Sequence, residues 1–184
     1  MKMNRITADS GEKLRQIREL YVTAFPPEER KPFSLLLEKE KEGCIEIFYA
    51  ENEEGKLAGE AMIARHGDII LLEYYAIADR FRGKGVGTDL LKQLLERYEG
   101  SRFILEIEST KIPAADWQQR RRRKDFYLRS GLSSTDISVL YYGVELEILT
   151  YECEVTFQEY YGVYESIFGE DIAQNISLAA SKKH

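Results

Sequence analysis

The sequence has little of what metal, disulfide or membrane chemistry requires. Of its 184 residues only two are cysteines, Cys44 and Cys153, and neither lies in a CxxC or Cys/His cluster. No zinc site is therefore legible, and two scattered thiols read as small buried hydrophobes in a reducing compartment. There are two histidines: His66 precedes Gly67 in a turn and His184 is the last residue, so neither is placed as a catalytic base. The longest aliphatic block, Ile69 to Leu72, falls far short of the roughly 20 residues of a membrane span, and Met1 to Arg5 leads into no apolar signal-peptide core. The net charge of -6 disfavours a broad footprint on nucleic acid or anionic lipid, yet leaves room for a local basic pocket. Together these absences predict a cytoplasmic protein with no metal, no membrane and no nucleic-acid partner.

What is present is enough for a substantial core. With 43% hydrophobic residues the chain needs no staple to fold. No internal repeat or low-complexity linker divides it. The expected organisation is a domain over residues 1–155 and a helix and tail over 156–184, as part of the same domain.

Periodicity supplies the elements. Residues 4–8 read as a short strand. Leu14, Ile17, Leu20, Tyr21 and Ala24 fall at helical spacing behind Ser10 as N-cap, and Pro26-Pro27 stops that helix. Phe33 to Lys41 reads as a second helix. Cys44 to Glu51 and Leu57 to Arg65 form a hairpin, and the nearly continuous apolar run Ile69 to Ala78 reads as a strand buried on both faces. Leu90, Leu91, Leu94 and Leu95 stripe a helix over 87–98. Phe103 to Glu108 is the next strand, which makes a parallel crossover unit with Ile69–Ala78. Pro113 is placed to open a helix that ends near Gly131. Residues 136–143 and 145–153 form a last hairpin, Phe157 to Phe168 a terminal helix, and 175–184 a loose tail. The fold class is α+β, a mixed sheet flanked by helices in the order β-α-α-β-β-β-α-β-α-β-β with a helical tail.

One stretch carries chemistry. A strand runs into Arg82-Gly83-Lys84-Gly85-Val86-Gly87 and then into the leucine-striped helix. A helix N-terminus offers unpaired N–H groups and a favourable dipole to an anion, the glycines permit close approach, and Arg82 and Lys84 add charge. The dinucleotide pattern G-x-G-x-x-G fails in both registers, because its sixth position is Thr88 or Leu90, and no lysine follows the last glycine as a P-loop demands. Arg-x-x-Gly-x-Gly at Arg82, Gly85 and Gly87 fits.

That pattern resembles motif A of the GNAT superfamily of N-acetyltransferases. Leu71 to Ile77 is similar to the family's fourth strand, Gly87 to Leu91 to the start of its phosphate-binding helix, and Phe126-Tyr127-Leu128-Arg129-Ser130-Gly131-Leu132 to its motif B. The order of elements agrees from about residue 4 to residue 153. The resemblance implies direct transfer of an acetyl group from acetyl-CoA to a primary amine. It implies a pyrophosphate held by Arg82, Gly83, Lys84, Gly85, Val86, Gly87 and Thr88, and pantetheine along Ala76, Ile77 and Ala78. Where the family often has an asparagine seven residues before the motif B tyrosine, this chain has Arg120.

The same resemblance points to Tyr127 as the acid that protonates the leaving thiolate. Glu73 is the first candidate for base, since an acidic group inside an apolar strand must be desolvated or paired, with Glu106 and Glu108 as rivals. The run Arg120 to Lys124 wraps around a helix; it is either a solvated face or a contact for the 3′-phosphate of the cofactor. Tyr21, Phe25, Glu29 and Arg30 are candidates to border the acceptor, a small molecule or a peptide amine. The hairpin 136–153 and the terminal helix offer a homodimer contact. A non-catalytic acyl-CoA-binding regulatory module on the same fold is the alternative reading.

Overall fold

The computed structural model describes residues 1–7 and 10–180. Its elements run β1 (Lys2–Arg5), α1 (Gly11–Ala24), α2 (Phe33–Lys41), β2 (Ile45–Glu51), β3 (Leu57–His66), β4 (Ile69–Ile77), α3 (Val86–Arg97), β5 (Arg102–Glu108), α4 (Trp117–Arg129), β6 (Ser133–Tyr141), β7 (Val144–Tyr151), α5 (Phe157–Phe168), α6 (Glu170–Ala173) and β8 (Ile176–Leu178). The strands make one eight-stranded mixed sheet in the order β1-β2-β3-β4-β5-β7-β6-β8, the α+β architecture expected. The chain divides into two compact units, Met1–Arg65 with Leu72–Glu99, and His66–Leu71 with Gly100–His184.

In the first unit β1 pairs with β2 and β2 with β3, both antiparallel. Strands β2 and β3 are almost wholly buried. Helix α3 buries Val86, Leu90, Leu91 and Leu94, which is why its leucine stripe repeats at helical spacing. Gly59 lets β3 lie close against the end of β4. A Cβ there would meet Ile77 Cδ1 at 2.7 Å and Ala76 O at 2.9 Å, and Ala78 N–H donates to Ala58 O at 3.0 Å. This packing sets the strand end from which the glycine turn departs.

In the second unit β7 lies between β5 and β6, antiparallel to both, with a bulge in β6 between Ser134 and Ser138. Helix α5 opens on a full capping box: Thr156 Oγ1 accepts from Glu159 N–H, and the Glu159 carboxylate accepts from Thr156 N–H. Its tyrosines Tyr160 and Tyr164 are fully buried.

Several expectations are corrected. β1 ends at Arg5, and residue 8 of the expected 4–8 strand lies outside the described residues. Ser10 stands at the N-cap position without capping through its side chain; its hydroxyl accepts from Thr7 N–H at 2.8 Å instead. α4 begins at Trp117, not Pro113. The last hairpin strands are Ser133–Tyr141 and Val144–Tyr151, displaced toward the N-terminus because Tyr142 and Gly143 both take left-handed conformations and form the turn. Part of the expected loose tail is ordered: Ile176 to Leu178 pairs with β6, while 181–184, including His184, lie outside the described residues.

Candidate active site

The glycine turn is built as a cradle. After β4 a short 3-10 turn over Asp79–Phe81 leads to Arg82. Gly83 and Gly85 have φ of +70° and +80°, and among the described residues nothing beyond their own chain neighbours lies within 4 Å of where a Cβ would stand on either. Gly85 is the N-cap of α3, so the open space lies at the end of a helix of 12 residues, where N–H groups have no intrahelical partner. That geometry fits a phosphate group, and the residues are those the sequence nominates. Arg82 pairs with Asp79 at 2.9 Å and donates to Ile77 O at 3.1 Å. Both partners of that ion pair are more than half exposed, so it holds Arg82 only weakly. Lys84 and Thr88 are exposed and Val86 is buried as the first core residue of the helix. The Tyr75 hydroxyl donates to Gly87 O at 2.5 Å and ties the first turn of α3 to β4.

Glu73 lies on β4 in the same unit and is both desolvated and paired. Its carboxylate forms an ion pair with the Lys31 ammonium, and the two side chains are 2% and 5% exposed. Lys31 is the residue that sequence reasoning missed. Tyrosines bracket its backbone: Tyr21 Oη donates to Lys31 O at 2.9 Å, and Lys31 N–H donates to Tyr74 Oη at 3.0 Å. Tyr74 Oη also donates to Glu29 O at 3.0 Å. Burial pushes the Tyr21 phenol up to about 12 and raises Tyr74 further, so both keep their protons as donors. Tyr21 and Phe25 pack their rings on Tyr74. Of the four residues nominated beside the acceptor, Tyr21 therefore acts as a buried clamp on the 26–32 loop, Phe25 joins its ring cluster, Glu29 contributes a carbonyl, and Arg30 donates to Val22 O.

Tyr127 lies on α4 in the second unit, 6% exposed. Burial pushes its phenol up to about 12, against a smaller downward pull from the Arg123 charge. It holds its proton across the neutral range. The two rival carboxylates have partners too, as Glu73 does. Glu108 is held by Arg120 at 2.7 Å and by Arg123 at 2.9 Å. Glu106 accepts from Tyr160 Oη at 2.5 Å and Tyr164 Oη at 2.8 Å.

The basic run is neither a wholly solvated face nor a single patch. Arg120 and Arg123 turn to Glu108, and Lys124 pairs with the buried Glu147. Burial pushes Glu147 up, but hydrogen bonds from Lys124 and Thr110 outweigh it and hold the carboxyl below its usual range. Arg121 lies over the Trp117 ring at 4.9 Å, and Arg121 and Arg122 are exposed. Among the described residues no group of His, Cys, Asp and Glu is arranged to hold a metal, and no helix is long and apolar enough to cross a membrane.

Residues 14–121 match the model of the acetyltransferase (GNAT) family. The chain belongs to that family. No curated protein sequence matches it. Among solved structures, a protein from Bacteroides thetaiotaomicron described as an acetyltransferase of the GNAT family is 19% identical, over 94% of this chain and 99% of that one, with a TM-score of 0.76. An aminoglycoside 6′-N-acetyltransferase complexed with coenzyme A is 15% identical, covering 82% and 96%, with a TM-score of 0.65. The ribosomal-protein-S18-alanine N-acetyltransferase of Escherichia coli is 16% identical, covering 84% and 95%, with a TM-score of 0.62. At these identities the likeness is one of GNAT fold, while the family model spans the glycine turn itself.

Proposed function

We propose that this GNAT-family chain is an acetyl-CoA-dependent N-acetyltransferase that passes the acetyl group directly to a primary amine. The observation that carries the reading is the open, left-handed Gly83 and Gly85 turn at the N-terminus of α3, which suits a pyrophosphate. In this reading Arg82, Lys84 and the N–H groups from Gly83 to Thr88 hold the phosphates, and the backbone of Ala76, Ile77 and Ala78 accompanies the pantetheine. Acetyl-CoA, when bound, supplies the acetyl group as a thioester with a stable thiol leaving group.

Glu73 takes the proton that the acceptor nitrogen must lose, and Tyr127 Oη gives one to the departing sulfur. A backbone N–H at the end of β4 donates to the carbonyl oxygen as charge gathers there. The neighbours named above act on an aminoglycoside and on a ribosomal-protein alanine, and others on spermidine. All are amines, which supports the acceptor class and leaves the individual acceptor open.

Release of coenzyme A thiol over a panel of amines tests this. The expected result is amine-dependent release that Glu73→Gln and Tyr127→Phe both lower while cofactor affinity holds. Cofactor binding with no release for any amine would favour the regulatory module instead.

A further inference from the structure

The ion pair between Lys31 and Glu73 puts a primary amine of the chain itself where an acetyl acceptor has to be. Lys31 Nζ donates to Glu73 Oε1, and the two side chains are 5% and 2% exposed. The surrounding rings hold the lysine in place. Its carbonyl accepts from Tyr21 Oη at 2.9 Å, its N–H donates to Tyr74 Oη at 3.0 Å, and Nζ lies 5.7 Å from the centre of the Tyr74 ring. Lys31 also follows directly on Glu29 and Arg30, two of the residues nominated beside the acceptor.

A base that takes a proton from an attacking nitrogen must be within hydrogen-bond reach of that nitrogen. With Glu73 as that base, the place against its carboxylate is the place of the nucleophile, and Lys31 Nζ already occupies it. Burial favours the reactive form of this pair. In a medium that solvates charge poorly, one proton shift along the bond neutralises both an ammonium and a carboxylate. The amine then has its lone pair, with no proton exchanged with water.

We propose that Lys31 is a self-acetylation site: without an external amine, acetyl-CoA acetylates Lys31 Nζ in the same molecule, and the product shuts the site. The proposal rests on the acetyltransferase reading. The nitrogen lone pair adds to the thioester carbonyl, the N–C bond forms and the C–S bond breaks. Of the three protons on the starting ammonium, one goes to Glu73, one leaves on the coenzyme A sulfur and one stays on the amide nitrogen. An amide does not pass its acetyl group on to an amine, so acetylated Lys31 is an end point rather than an intermediate. Glu73 keeps a proton opposite the neutral amide, so no bare charge is stranded by the modification.

The test is peptide mapping by mass spectrometry of the full chain after incubation with acetyl-CoA and no added amine, and in parallel with acetic anhydride. Anhydride in water finds amines by exposure, so Lys56 and Lys92, 55% and 74% exposed, react ahead of Lys31. Acetyl-CoA reverses that order: Lys31 is acetylated ~10-fold or more faster than either, because its amine is held beside the base. Glu73→Gln removes the lead. Lys31→Arg keeps the positive charge, offers no such amine, and abolishes the single burst of thiol release that the wild type shows before any amine is added. Lys31 left unmodified by acetyl-CoA, or modified no sooner than Lys56 and Lys92, overturns the proposal, as does a lead that survives Glu73→Gln. If an added amine then still drives thiol release, the acetyltransferase reading stands without it; if no amine does, both fall.

Discussion

Lys31 and Glu73 form an ion pair with almost no solvent on either side chain, and it joins the loop before α2 to β4. Removing one charge from such a pair strands the other in a medium that solvates it poorly. Lys31→Met is expected to cost about 3 kcal/mol in chemical denaturation, at the lower end for a broken buried pair. The Lys31→Met, Glu73→Gln double variant should recover most of it. A double variant as unstable as the sum of the singles would show that the two residues are not coupled.

Glu60 offers the opposite case. It is fully buried on β3, both of its oxygens lack a hydrogen-bond partner among the described residues, and burial raises its pKa well above the usual range. The unfolded chain releases this proton near ~4.3. Between that value and the higher folded one, the folded chain holds a proton that the unfolded chain has lost, so stability falls as pH rises through the window. Glu60→Gln should flatten that slope, read from denaturation midpoints at several pH values. An identical slope in the variant would assign it to other groups.

Tyr127→Phe removes one oxygen from a buried ring. Turnover is expected to fall by roughly 10²-fold, at the low end of general-acid effects, with cofactor affinity little changed. Because burial pushes the phenol up to about 12, ionisation of Tyr127 should place no alkaline limb on the rate profile below that value. Unchanged turnover would take the proton-donor role from Tyr127.

The split of the basic run predicts different phenotypes for adjacent arginines. Arg120→Ala frees half of the hold on Glu108 and should show mainly as lost stability, with coenzyme A and dephospho-coenzyme A affected alike. Any residue of the run that meets the 3′-phosphate is to be found at exposed Arg121 or Arg122, whose alanine variants would then weaken coenzyme A alone. Equal losses for both cofactors across the run would leave it without a phosphate role.

The sequence made the local elements legible where periodicity was strong. The leucine stripe of α3 and the apolar run of β4 fix their own faces, and the bounds of α2 and α5 agree with those read from spacing. The glycine turn was legible because left-handed backbone and absent Cβ atoms leave a chemical signature. Long-range pairing was not. Nothing near Glu73 in sequence marks Lys31, 42 residues earlier, as its partner. Nothing in the alternation of β5 shows that Glu106 would be met by hydroxyls from α5, or Glu108 by two arginines. Charge runs mislead for the same reason: five consecutive basic residues wrap around a helix, and only the fold decides which of them turn inward.

Whether the turn from Gly83 to Gly87 holds the pyrophosphate is read most directly by calorimetric titration of coenzyme A into wild type, Gly85→Asn and Gly85→Asp. Asparagine tolerates the left-handed backbone and aspartate has nearly the same shape with a negative charge. Binding should survive in part with asparagine and fall at least ~100-fold further with aspartate, since the charge then faces the phosphate. Equal affinities for the two variants would contradict the placement of the pyrophosphate at this turn.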